Sequence, residues 1–139
     1  MSPIATTAEA FAGVALAAVA CDGELANEEI RALRQQLEYR LPYRALSDRE
    51  MGDLLDRLLT VLRSEGVSAL TAQCASLLPA EVRETALAMA ASLIHADHIQ
   101  TPSEHAFLAE LGAVLKVADQ RAQEIIAVIS LLHRDSIAS

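Results

Sequence analysis

Apolar residues in this chain recur three and four apart, and no stretch alternates with period two for long. A chain so patterned buries the faces of helices and offers nothing to a sheet, so the sequence predicts an all-α fold. Ile30, Leu33, Leu37 and Leu41 form one stripe, and Leu54, Leu55, Leu58, Leu59 and Leu62 form another. Start signals separate the stripes. Thr6 with Glu9, Ser47 with Glu50 and Thr101 with Glu104 each set a hydroxyl and a carboxylate at capping-box spacing. Pro42 and Gly66 end helices, Pro79 suits a first turn, and Asp119 suits an N-cap. About seven helices follow, at roughly 7–21, 27–41, 48–65, 67–77, 79–96, 102–116 and 119–133, joined as antiparallel hairpins because the connections are short.

The 139 residues, 53% hydrophobic and 22% charged, suffice for one domain over 1–139 and exclude a disordered chain. The uncharged runs Ala10 to Cys21 and Gly66 to Ala80 are too short to span a bilayer, and no basic stretch precedes the first of them. A cytoplasmic location is therefore expected. Cys21 and Cys74 sit in apolar helical segments as reduced core thiols. The alanines of the first and fifth helices (Ala15, Ala17, Ala18, Ala20; Ala86, Ala88, Ala90, Ala91) suit helices approached closely on several sides, with Phe11 and Phe107 as anchors in an Ala/Leu-rich core. For the first helix the alternative is a homodimer interface. A net charge of −8 argues against nucleic acid as a partner. Arg31, Arg34, Arg40, Arg44 and Arg49 nevertheless make one stretch locally positive, either a solvated face or a surface for an anionic partner.

The chain also repeats itself. Laid over Ile94 to Leu108, the segment Val19 to Leu33 gives a common pattern of apolar helix end, Asp, short loop and a Glu opening the next helix. Asp22 matches Asp97, Glu29 matches Glu104, and Val19 and Leu33 match Ile94 and Leu108, all at an offset of 75 residues. Two such hairpins, helices 1–2 and 5–6, would be related by a pseudo-twofold axis. If their loops meet near it, four carboxylates converge.

The stretch Ala-Cys-Asp-Gly-Glu-Leu-Ala-Asn-Glu-Glu-Ile at 20–30, after an alanine-rich helix, resembles the signature loop of the TerB-like tellurite-resistance family. Ala-Asp-His-Ile-Gln-Thr-Pro-Ser-Glu, from residue 96, is similar to that family's second acidic hairpin, and the resemblance covers most of the chain. It implies a compact helical domain without established catalytic activity, whose paired acidic loops chelate a metal ion. It further implies a part in tellurite and other stress responses, through protein partners in membrane-linked complexes at the cytoplasmic face. Carried over by position, the metal ligands are Asp22, Glu29, Asp97 and Glu104. His98 departs from the pattern, standing where the first copy has Gly23, and either restricts the second loop or adds a ligand.

Carboxylates suit a hard divalent cation such as Ca²⁺, Mg²⁺ or Mn²⁺, and His95 and His98 flanking Asp97 would extend the choice to Zn²⁺. Each acid also has a structural role to fill, Glu104 as the capping partner of Thr101 and Asp22 before Gly23 as loop chemistry. The EF-hand order of ligands is broken at once. With no G-x-S-x-G elbow, no phosphate loop and no histidine near either cysteine, an enzyme is disfavoured; a metal-dependent hydrolase is the remote form it would take. The competing reading is a metal-independent helical interaction module using the arginine-rich second helix, through Arg31, Arg34 and Arg40.

Overall fold

The computed structural model describes residues 6–21, 25–95 and 101–134. The protein is all-α. Among the described residues it has seven α-helices, α1 (Thr7–Ala20), α2 (Asn27–Glu38), α3 (Asp48–Glu65), α4 (Val67–Ala75), α5 (Ala80–His95), α6 (Pro102–Val114) and α7 (Asp119–Leu132), with a 3₁₀ turn at Tyr43–Ala45.

The core is organised around α1. Every residue from Glu9 to Ala18 is buried, and this burial arises within a single chain, so α1 belongs to the core of the monomer. The helix lies chiefly against α4 and α5, with α2 and α3 also on its flanks, while α5 in turn carries α6 and α7. Small side chains make this approach possible. A Cβ on Gly13 would stand 2.4 Å from Cys74 Sγ and 3.2 Å from Leu58 Cδ2, so only hydrogen fits where α1 meets α4. Between helices thus brought together, Leu16, Leu33, Leu37, Met51, Leu58, Leu70, Leu78, Leu87, Leu108, Leu111 and Leu115 fill the interior. Each such leucine contributes about 1.5–3 kcal/mol of burial. Phe11 and Phe107 are buried as the sequence suggests.

The local start signals operate as read, with instructive exceptions. Ser47 and Thr101 form reciprocal boxes with Glu50 and Glu104. At α1 only half the box forms. Thr6 accepts the N–H of Glu9, while the Glu9 carboxylate turns to the Thr6 hydroxyl and to Arg57 Nε, at 3.2 Å, so tying α1 to α3. Asp119 is not a cap: Ala118 holds that position, and Asp119 stands inside the first turn, where its carboxylate accepts from Gln123. Helix α5 begins one residue after Pro79, whose carbonyl accepts the N–H groups of Val82 and Arg83. Gly66 joins α3 to α4 with φ +92°, a conformation open to glycine.

The stripe ending at Leu41 needs correction. Helix α2 stops at Glu38, and Leu41 is 68% exposed. A residue before proline is pushed out of the helical region, so the chain turns at 39–42. Tyr43 then takes the core place: its ring lies 6.4 Å from that of Phe11 and its hydroxyl donates to the Ala8 carbonyl.

Gly13→Ala should lower stability by about 1–3 kcal/mol, because Cys74 and Leu58 must shift in a packed core. Gly52→Ala, where a Cβ meets nothing within 4 Å, should raise it by roughly 0.5–1 kcal/mol through helix propensity. Denaturant midpoints of the two variants moving in the same direction would contradict this packing.

Candidate metal centre

Two of the four proposed carboxylates, Glu29 and Glu104, lie within the described residues; Asp22, Asp97 and His98 lie outside them. Glu29 occupies the third position of α2, half-buried, where its Oε1 accepts the N–H of Ala26 at 3.1 Å. Glu104 occupies the third position of α6, buried, where its Oε1 accepts the N–H of Thr101 at 2.8 Å. Ala26 has no side-chain oxygen with which to reciprocate, whereas Thr101 Oγ1 accepts the Glu104 N–H at 3.2 Å. The two acids thus make the same backward reach at the openings of their helices.

Capping alone accounts for this geometry, because Glu50, far from either acidic loop in sequence, reaches back to Ser47 in the same way at 2.9 Å. As at Glu50, Oε2 of Glu29 and of Glu104 accepts no hydrogen bond from a described residue, so a spare oxygen accompanies this cap wherever it forms. One oxygen orients the carboxylate, and the other is available in kind for a hard cation. Oxygens of this kind suit such an ion chemically, with one physical obstacle. A helix N-terminus carries partial positive charge and favours anions, so two first-turn glutamates hold a cation only with further negative charge beside them. Asp22 and Asp97 are the residues that would supply it. Among the described residues alone, no three His, Cys, Asp or Glu side chains gather to hold a metal.

His95 is the last residue of α5, half-buried, and its ring stacks on that of His133 with centroids 6.3 Å apart and planes at 26°. His133 stands at the end of α7, its Nε2 3.0 Å from Ser92 Oγ. Sequence reasoning passed over His133, and no local signal marks it: its partners are about 40 residues earlier. His105 is exposed on α6. Cys74 is buried, and burial, with the nearby Glu9 charge, pushes its thiol up to about 12. No family model, curated protein or solved structure matches this chain.

The Glu50 carboxyl is held below its usual value by the Ser47 backbone N–H and then by the Ser47 hydroxyl. A depressed folded value means that the stabilisation is present above the unfolded pKa and is lost as pH falls through the folded one. Ser47→Ala should therefore raise the Glu50 pKa partway toward normal by NMR titration; an unchanged value would remove the hydroxyl from this account. In metal-free protein, Thr101→Ala should cost about 1 kcal/mol in denaturant unfolding.

Proposed function

We propose that this chain is a non-enzymatic TerB-like domain that holds a divalent cation at paired acidic loops and serves in tellurite, metal or general stress responses through protein partners. The observation that carries the reading is the correspondence of two helix–loop–helix units. Ala20 and His95 end α1 and α5, Asn27 and Pro102 open α2 and α6, and Glu29 and Glu104 follow with the same reach-back, all 75 residues apart. An internal duplication accounts for boundaries and side-chain geometry together.

The arrangement of the inner helices supports convergence of the loops. α1 packs against α5, and their first turns flank one cavity, lined by Thr7, Ala8 and Phe11 from α1 and by Val82 and Thr85 from α5. Helices that begin side by side and stay packed also end side by side, which supports a reading in which Ala20 and His95 close the two helices at the same end of the domain. Asp22, Glu29, Asp97 and Glu104 would hold the cation, with His95 and His98 as further ligands for Zn²⁺ or Mn²⁺. When bound, such an ion supplies a cross-link between two loops and cancels their mutual repulsion. Partners at a membrane protein suit a chain in which no helix among the described residues is long and apolar enough to cross a bilayer.

A specific observation favours a second reading. Arg34 is bound to Glu38 and Asp48, but Arg31, Arg44 and Arg49 are exposed and make no ion pair with a described residue. These unneutralised charges suit an acidic protein partner, with or without a metal. Reversing all three to Glu should then release that partner.

Calorimetric titration of metal-free protein with Ca²⁺, Mg²⁺, Mn²⁺ and Zn²⁺ tests the first reading. The wild type should bind one of these ions saturably, and Asp22→Ala/Asp97→Ala should lose that binding while keeping its helical circular dichroism. Equal binding by both proteins, or by neither, would return the four acids to helix capping.

A further inference from the structure

A cavity of about 380 Å³ lies between the first turns of α1 and α5 and the turn that follows α2. That volume falls in the range of roughly 300–1,000 Å³ over which proteins hold small molecules. Its walls are chiefly apolar, from Ala8, Phe11, Pro42 and Val82, with Thr7 and Thr85 beside them, and among the described residues lining it Arg40 alone is charged. The exposed Leu41 also borders it. An apolar residue turned toward solvent beside a cavity is a surface that an apolar ligand would cover.

Arg40 is unusually placed. Its guanidinium carbon stands 5.4 Å from the centroid of the Phe11 ring, within the range of a cation–π contact, which steadies the head group over the cavity wall. Its N–H donors make no hydrogen bond or ion pair with a described residue, in a chain of net charge −8 that offers many carboxylates. Tyr43 does not contribute an anion: its hydroxyl donates to Ala8, and burial pushes its pKa up, so the phenol stays neutral. One unneutralised cation beside an apolar chamber complements a ligand with a single negative charge and an apolar body. The planar guanidinium matches a carboxylate, which it can meet with two parallel hydrogen bonds.

We propose that this cavity binds a small amphipathic monocarboxylate, its alkyl or aryl body against Phe11, Pro42 and Val82 and its carboxylate on Arg40. The site shares no residue with the acidic loops, so it stands whether or not those loops hold a metal. The intact chain is titrated with octanoate and, separately, with octanol, followed by NMR. Octanoate should saturate with shifts at Phe11, Tyr43 and Val82, and octanol should bind at least about tenfold more weakly, the loss expected for a charge-assisted pair. Arg40→Gln should bring octanoate down to the octanol level and leave octanol unchanged. Leu41→Asp, at an exposed position that leaves the fold intact, should weaken octanoate more than octanol. The Asp22→Ala/Asp97→Ala protein should bind octanoate as the wild type does. No saturation in the millimolar range, equal affinity for the two ligands, or shifts confined to Arg31, Arg44 and Arg49 would each overturn the proposal.

Discussion

The close approach of α4 to α1 at Gly13 is the constraint on which the rest of the structure depends. A helix buried along ten consecutive residues must let its neighbours come near on several sides, and only Ala and Gly permit that. With α1 thin, the leucines of α2, α3, α4 and α5 reach across it and close the interior almost without aromatic side chains. The same thinness sets the position of α5, and with α5 that of α6 and α7, which pack on it.

Polar groups do a different task in this molecule. Within a core of Ala and Leu there is little to specify register, and the reciprocal hydrogen bonds at helix starts supply it locally. Glu9 is the exception, since its carboxylate accepts from the Thr6 hydroxyl through one oxygen and meets Arg57 on α3 through the other. The apolar α1 and the amphipathic α3 are thereby fixed in rotation and not merely in proximity. A buried acid kept by one arginine is a weak source of stability.

Much of the fold was legible in the sequence because its punctuation is local. A hydroxyl three residues before a carboxylate, a glycine after a leucine stripe or a proline before an alanine run each acts within one turn, so the seven helices fall close to where spacing puts them. Reading failed where the deciding contact is distant or where two local rules compete. Leu41 obeys the stripe but precedes Pro42, and the proline prevails. Tyr43 becomes a core residue only because Ala8 and Phe11, more than 30 residues earlier, receive it. Of the acidic set, Glu29 and Glu104 stand at matching helix openings, as their spacing implies; a meeting of four acids would be a tertiary property that no spacing encodes. The Arg40 cavity assembles from three separate segments and left no mark in any one of them.

The meeting of Gly13 with Cys74 has a further consequence. A thiol packed against a helix backbone is sealed from small reagents and is held protonated by burial, so it reacts only when α4 lifts from α1. The rate at which a disulfide reagent modifies Cys74 is then a clock for that opening, separate from the slower event of global unfolding. Followed apart from the half-buried Cys21, this one native cysteine makes the central seam of the domain observable without an engineered label.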